Sequence, residues 1–328
     1  MIGRGFFAGA GADASDSQKA TCGADGIQGP NGNLVVRIGG VSQLWASDGV
    51  TASAPVSSVN VFDLAHHDIG KPATTVSTGG VCRADELSYD PTNRLVMVAN
   101  DLDSPPYVSF ISVNRDPSKD RVVATIRFDT AIDGLEQSVW DPRRHLLYLN
   151  VPQVLAKDGA WVGEVAAISP RSRAVVQTFR TPGCSPAGLA LDAQADELLL
   201  GCSGDALTGD SVHGVNYHPN PGFTEVVDAR NGHIVKRIDQ VSGSDEVWFD
   251  PIAHRYYAAA TAMTSNGKSS GYSTPVLGVI GAGAVGWLGN FPTSGDAHSV
   301  AADPVNGHVF VPIPGYGIAV FADRSIHR

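Results

Sequence analysis

The chain has 328 residues, of which 43% are hydrophobic and 17% charged, and this is enough apolar material for one or two sizeable cores. Its formal net charge of -10 disfavours nucleic acid or an anionic membrane as a partner, because both are bound by clustered Lys and Arg. No apolar run approaches the roughly 20 residues of a membrane span, and no signal peptide is evident. The sequence predicts a globular protein and leaves its compartment open.

Repeated strand patterns begin near residue 29 and continue to the end of the chain. The first unit runs from "GPNGNLVV" through "QLWASDG" and "SVNVFDL" to "ATTVST", ending near Ser77. Each of the next five units begins with a strand that ends in an anchoring aspartate: Asp90, Asp141, Asp192, Asp250 and Asp303. These anchors are 51, 51, 58 and 53 residues apart. A period near 50 with several strands in each unit is typical of a β-propeller.

The order of strands is the same in each unit. Strand A ends at the aspartate, and strands B, C and D follow, as in "LVMVAN", "VSFISV" and "VVATIRF" of the second unit. The last unit lacks an evident strand D, which we expect the N-terminal "GRGFFAGA" to supply. The sequence therefore predicts an all-β, single-domain propeller over residues 1–328, with six four-stranded blades and seven blades as the alternative. The "GAGAVG" stretch at 281–286 fits a dinucleotide-binding spacing, but no helix follows it, so we interpret it as a C–D turn.

Several phrases resemble a bacterial family of YVTN-type propellers described as lactonase-like or of unknown function. They are "ADELSYDP", "GLEQSVWDP", "GSDEVWFDP" and "AHSVAADPVNGHVFVP", and the resemblance covers residues 29–322. It implies the propeller fold and suggests a lactonase-like activity. The architecture is also similar to gluconolactonases and paraoxonase-like phosphotriesterases, whose channel holds a divalent metal ion. No motif matches those families residue by residue, so no metal ligand is assigned from them. Members of the YVTN-type family are often exported, with a further N-terminal blade that is not found here.

Polar side chains gather at the start of strand A, the strand that lines the central channel of a propeller. The positions four and five residues before the anchors hold Asp85, Glu86, Glu136, Gln137, Asp245, Glu246 and His298. Because side chains alternate along a strand, one member of each adjacent pair faces the channel. We predict Glu86, Glu136, Glu246 and His298 as metal ligands, with Asp85 and Asp245 as the alternates in their pairs. Supporting oxygens are expected from Asp85, Asp245, Gln137, Asn31, Asn100, Asn150, Asp48 and Asp101. Ala187 and Gly188 replace the acids in the fourth unit, which predicts room for a ligand.

Converging carboxylates without nearby lysines repel one another, and a divalent ion such as Zn, Mn or Ca relieves that repulsion. The sequence thus predicts a metal-dependent hydrolase with Glu136, Glu246 and His298 as catalytic residues. Lactones or other esters are the expected small-molecule substrates, with phosphotriesters as promiscuous ones. A lyase acting on a cyclic ester with His298 as base fits the same residues.

The alternative is structural. Acid pairs also cap backbone amides between blades, and the protein would then be a non-catalytic propeller that binds a small molecule or protein through its rim loops. A monomer is expected in either case.

Two further features bear on the site. The 58-residue step contains an insertion, "GDSVHGVNYHPNPG", whose His218 is a candidate lid residue over the channel. Among the four cysteines, Cys22 with Cys82 and Cys184 with Cys202 are compatible with two disulfides, although free thiols fit the sequence equally well.

Overall fold

The computed structural model describes residues 7–9, 13–65, 70–157, 159–202, 222–241, 244–260, 275–295 and 297–323. The candidate lid residue His218 lies outside these ranges. Six antiparallel sheets follow one another along the chain, each with strands in the order predicted for a blade. The protein is a six-bladed β-propeller, as the period of the anchoring aspartates predicts.

The strands of the first three blades are numbered in chain order. Blade 1 contains β1 (Asn33–Ile38), β2 (Val41–Asp48), β3 (Ser58–Asp63) and β4 (Thr74–Ser77). Blade 2 contains β5 (Leu87–Asp90), β6 (Leu95–Asn100), β7 (Tyr107–Ser112) and β8 (Arg121–Arg127). Blade 3 contains β9 (Ser138–Asp141), β10 (Leu146–Leu155), β11 (Trp161–Ser169) and β12 (Ala174–Thr181).

The remaining blades follow the same plan. Blade 4 contains β13 (Pro186–Asp192), β14 (Glu197–Cys202), β15 (Phe223–Asp228) and β16 (Ile234–Ile238). Blade 5 contains β17 (Ser244–Asp250), β18 (Arg255–Ala260), β19 (Val276–Gly281) and β20 (Gly286–Pro292). Blade 6 has three strands within the described ranges, β21 (Ala301–Asp303), β22 (His308–Ile313) and β23 (Gly317–Ala322). The "GAGAVG" stretch lies in the turn between β19 and β20, as predicted.

The chain divides into two compact units. Unit 1 comprises Met1–Trp140, Arg144–Leu147 and Ile168–Val176. Unit 2 comprises Asp141–Arg143, Tyr148–Ala167 and Gln177–Arg328. In unit 1 an apolar core that includes Trp45 and Val98 lies between blades 1 and 2. In unit 2 one core lies between blades 4 and 5 and another between blades 5 and 6.

Each anchoring aspartate closes the turn between strands A and B. Its Oδ1 accepts a hydrogen bond from the backbone N–H two residues further on, in all five blades that carry an anchor. The last residue of each turn has a positive φ, and these residues are Arg94, His145, Asp196, His254 and Gly307. Because the five turns share this geometry, the same aspartate recurs at the end of strand A in each of these blades.

The N-terminal region contains a helix that the sequence analysis did not predict, α1 (Asp16–Cys22). Ser15 and Gln18 form a reciprocal capping box at its start, a signal that was visible in "SDSQ". Two 3-10 helices, Asp25–Ile27 and Pro117–Lys119, are the other helical turns in the described part of the chain. No helix there is long and apolar enough to cross a membrane.

The predicted closing strand "GRGFFAGA" lies partly outside the described residues. In its described part, Gly9 pairs with Gly29 and the ring of Phe7 lies 6.1 Å from that of Phe62 in β3. These contacts place residues 7–9 against blade 1. Closure of blade 6 by the N-terminus stays a prediction.

Both cysteine pairs named from the sequence form disulfides, Cys22 with Cys82 and Cys184 with Cys202. The first joins α1 to the segment before β5, beside a small apolar cluster that includes Ile27 and Val50. The second joins the two ends of the β13–β14 hairpin.

Candidate active site

In unit 2 the predicted residues Asp245 and His298 lie side by side. Asp245 and Glu246 belong to β17, and the backbone N–H of Glu246 donates to the carbonyl oxygen of His298 at 3.1 Å. This hydrogen bond holds the segment before β21 against β17. His298 Nε2 is 4.0 Å from Asp245 Oδ2, with side chains 50% and 48% exposed. Glu246 is half-buried.

An imidazole beside a carboxylate is a chemically useful pair. Histidine can accept a proton near neutral pH, and a neighbouring carboxylate stabilises the imidazolium that results. The exposure of both side chains leaves them open to water and to a substrate. Asp245 and His298 therefore have the composition and access of a general-base pair.

In unit 1 an arginine that was overlooked in the sequence lies among the predicted carboxylates. Arg83 Nη2 is 2.6 Å from Asp85 Oδ2 and 2.8 Å from Asp101 Oδ2, and Arg83 Nε donates to Asp101 Oδ2 at 2.9 Å. The negative charge of Glu136 also acts on Arg83. In this unit an arginine rather than a lysine therefore lies beside the acids and reduces their mutual repulsion. Arg83 stands two residues before Asp85, and residues two apart in an extended segment share a face, which was the available signal.

Burial and neighbouring charges act against each other on the pKa values of this cluster. Burial alone would lower the pKa of Arg83, but the charges of Asp85 and Asp101 outweigh it and raise the pKa above its usual value. For Asp101, burial raises the pKa well above its ordinary value, the neighbouring Asp85 adds to the rise, and Arg83 opposes it. Arg83 thus stays charged, and its contact with Asp101 offsets part of the rise in the pKa of that carboxyl group.

The other predicted acids and Gln137 lie just before strand A in unit 1. Glu86 immediately precedes β5, is half-buried, and its carbonyl oxygen accepts from the N–H of Ala99. Glu136 and Gln137 precede β9 and are also half-buried. All three are therefore partly accessible to water.

The three predicted asparagines use their amide nitrogens to bind the protein itself. Asn31 donates to the carbonyl oxygens of Gln28 and Ala84. Asn150 donates to those of Ala187 and Gly188, at the start of the next blade. In these two cases the side chain fastens one blade to the strand A that follows.

Asn100 and Asp48 both lie in unit 1, and each forms hydrogen bonds with nearby residues. Asn100 donates to Ser109 Oγ at 3.1 Å. Asp48 Oδ1 accepts from the backbone N–H groups of Ala8 and Gly49. Burial raises the pKa of Asp48 to about 6, and these hydrogen bonds oppose the rise.

Gly188 does not leave room for a ligand, contrary to the expectation from its position four residues before the anchor Asp192. A Cβ atom at Gly188 would lie 2.5 Å from a methyl group of Val247 and 3.0 Å from the carbonyl oxygen of Ser244. Glycine is needed because blade 5 approaches the backbone closely at this point.

The spacing of the described side chains bears on the predicted metal site. Within the described ranges, no group of three or more His, Cys, Asp or Glu side chains is spaced to hold a metal ion. In unit 1, Asp85 and Asp101 already bind Arg83. These residues therefore do not fit a metal centre with three such ligands.

Comparisons with solved structures support the class of fold. A candidate 6-phosphogluconolactonase from Bacteroides uniformis aligns with a TM-score of 0.60 and 11% identity, over 87% of this chain and 78% of that one. A second from Bacteroides fragilis gives 0.58 and 12%, over 92% and 82%. Hydrazine synthase of Kuenenia stuttgartiensis gives 0.63 and 14%, over 89% and 76%. At these identities the likeness shows the propeller fold alone. No protein-family model matches the chain, and no curated protein matches it.

Proposed function

We propose that this protein hydrolyses lactones and related carboxylic esters. The observation that carries the proposal is the Asp245–His298 pair, in which an accessible imidazole lies 4.0 Å from a carboxylate. The likeness in fold to two candidate lactonases is consistent with this activity but does not assign a residue to it. Phosphotriesters are the second substrate class, because water can attack phosphorus with the same general base.

The proposed reaction needs one water molecule and one base. His298 takes a proton from water as the oxygen attacks the ester carbonyl carbon, and Asp245 stabilises the imidazolium that forms. The tetrahedral intermediate then collapses, the bond to the alkoxide oxygen breaks, and the imidazolium returns its proton to that oxygen. The products are a carboxylic acid and an alcohol, which remain one molecule when the substrate is a lactone.

The test is a panel of γ- and δ-lactones, aryl esters and one phosphotriester, assayed with the wild-type protein and three variants. His298→Gln should lower kcat/KM at least about 100-fold, since general-base catalysis contributes roughly 10²–10⁴-fold. Asp245→Asn should lower it about tenfold, because the imidazolium loses its charged neighbour. His308→Gln, a change at the start of β22, serves as the histidine control and should keep the wild-type rate.

Two results would overturn the proposal. One is the absence of turnover by the wild-type protein across the whole panel, and the other is unchanged turnover in His298→Gln. The first result would favour the alternative of a non-catalytic binding propeller.

A further inference from the structure

The turns at one end of blades 2 and 3 carry many basic side chains. The strand register pairs Leu95 with Ser112 and Ser112 with Arg121, so the A–B and C–D turns of blade 2 lie at the same end of its sheet. The corresponding turns of blade 3 follow β9 and β11. Together these turns of unit 1 contain Arg94, Arg115, Lys119, Arg121, Arg144, His145, Arg171 and Arg173. We call this set the basic turn face.

Contacts between the blades make these turns one continuous surface. Thr92 Oγ1 lies 3.4 Å from His145 Nδ1, which joins the A–B turns of blades 2 and 3. Arg173 Nη1 donates to the carbonyl oxygen of Val123 at 3.2 Å and joins the C–D turn of blade 3 to β8. The basic side chains therefore belong to neighbouring turns rather than to separate edges.

The basic turn face keeps an excess of positive charge. Arg94, Arg115 and Arg171 are exposed, and none of them has an ion-pair partner among the described residues. Of the carboxylates in these turns, Asp90 is buried and accepts from turn N–H groups, Asp116 lies 3.7 Å from Lys119, and Asp120 is buried against Asn114. An excess of positive charge on this face of a chain of net charge -10 implies that the rest of the chain carries a larger excess of negative charge.

The composition of the face indicates the kind of partner. It has six arginines and a single lysine, and arginine is enriched at protein–protein interfaces whereas lysine is depleted. The arginine fork matches a carboxylate and a phosphate alike in two hydrogen bonds. An extended phosphate polymer or a lipid surface would also meet the acidic remainder of a chain with net charge -10, whereas a short carboxylate-rich segment can stay within the face. The ring of Trp140, 5.9 Å from His145, adds an aromatic element typical of such interfaces.

The turn backbones are also fixed before any partner arrives. Asp90 Oδ1 accepts from the N–H groups of Thr92 and Asn93, and Asp116 Oδ1 accepts from that of Ser118. Little backbone entropy is therefore lost when the side chains of these turns engage a ligand.

We propose that the basic turn face is a docking surface for a carboxylate-rich segment of a partner protein. The acidic remainder of the molecule repels such a segment, so the charge distribution directs it to this face. Association should be strongest at low ionic strength, because exposed charges are screened within about 8–10 Å in physiological salt.

The experiment uses a fluorescein-labelled deca-glutamate peptide and measures its anisotropy with the full-length protein at low and at physiological salt. The test variant is R94E/R115E/R171E. The control variant, K19E/R127E/K157E, makes the same change in net charge at exposed positions outside the face. The test variant should bind about tenfold more weakly than the wild-type protein, and the control should stay within about twofold. Circular dichroism confirms that both variants are folded, and R94Q/R115Q/R171Q gives an intermediate loss without charge reversal.

Other outcomes would overturn the proposal. Equal losses in the two triple variants would mean that only net charge matters. No binding by the wild-type protein at low salt would show that the basic turn face is not a docking surface for such a segment. Tighter binding to phosphatidylglycerol vesicles or to duplex DNA than to the glutamate peptide would assign the face to a phosphate-bearing partner instead.

Discussion

Arg83 binds the buried carboxyl group of Asp101 through two nitrogens, Nε at 2.9 Å and Nη2 at 2.8 Å. The side chain of Asp101 is 2% exposed, while that of Arg83 is 22% exposed. The same Nη2 also serves Asp85, so one cation supports two carboxyl groups at the edge of blade 2. Loss of the arginine would leave both carboxyl groups without their cation.

We expect Arg83→Met to lower the free energy of unfolding by about 3 kcal/mol, because removing one partner of a buried ion pair leaves the other without compensation. Urea denaturation measures the loss. Arg127→Met is the control, since Arg127 pairs with the 75% exposed Asp129 and an exposed pair contributes about 0–1 kcal/mol. Equal losses in the two variants would contradict the assignment of Arg83 as the supporting cation.

Glu225 makes a separate contribution to the pH dependence of stability. Its side chain is 3% exposed in β15, and burial raises its pKa to about 7, against the opposing charge of Arg237 on β16. The folded protein therefore holds this proton more tightly than the unfolded chain, in which the pKa of Glu225 has its ordinary value of 4.5. The stabilisation from Glu225 is complete below pH 4.5 and is lost as the pH rises through about 7.

Glu225→Gln should remove that fall in stability. Urea titrations at several pH values between about 4.5 and 8 measure the free energy of unfolding. That of the variant should increase relative to that of the wild-type protein as the pH rises, by about 1–2 kcal/mol at the upper end. Asp129→Asn, at an exposed site, should leave the wild-type profile unchanged. Parallel profiles for the wild-type protein and Glu225→Gln would show that Glu225 is not the titrating group.

The metal ion predicted from the sequence can be tested by elemental analysis of protein purified without chelator or a metal-affinity tag. The described side chains form no group of three or more His, Cys, Asp or Glu ligands. We therefore expect less than one equivalent of Zn, Mn or Ca, and hydrolysis that survives EDTA. Near-stoichiometric metal that is lost in Glu136→Ala/Glu246→Ala would instead support the metal-dependent enzyme.

The blades could be predicted because each is a local unit with its own marker. Asp90 and its counterparts accept hydrogen bonds from N–H groups two residues away, so the signal repeats wherever the turn repeats. The helix α1 was missed because it is short and its capping box lies in a polar stretch. A seven-residue helix leaves little periodicity to detect.

The candidate site was predicted only in part. Asp245 and His298 each stand five residues before an anchoring aspartate, a position that recurs in every anchored repeat, and these two side chains do lie together. The pairing of Arg83 with Asp85 and Asp101 was not predicted, because the pattern of acids carries no information on the cation that neutralises them. The basic turn face has no linear signature, because Thr92 and His145 are 53 residues apart in the sequence and lie together only through the packing of blades 2 and 3.

The A–B turns offer a test of the repeat that does not depend on function. The last residue of the turn has φ 49° at His254 in blade 5 and φ 68° at Gly307 in blade 6, a region that costs a residue with a side chain about 1–2 kcal/mol. Gly307→Ala should therefore lower the free energy of unfolding by about 1 kcal/mol, measured by urea denaturation. His254→Gly should raise it by a few tenths of a kcal/mol to about 1, since the relief of strain exceeds the entropy that glycine adds to the unfolded chain. Arg127→Gly, in β8 rather than in a turn, should be destabilising, which separates relief of strain from a general effect of glycine. A loss of stability in His254→Gly equal to that in Arg127→Gly would show that the positive φ of the turn carries no strain.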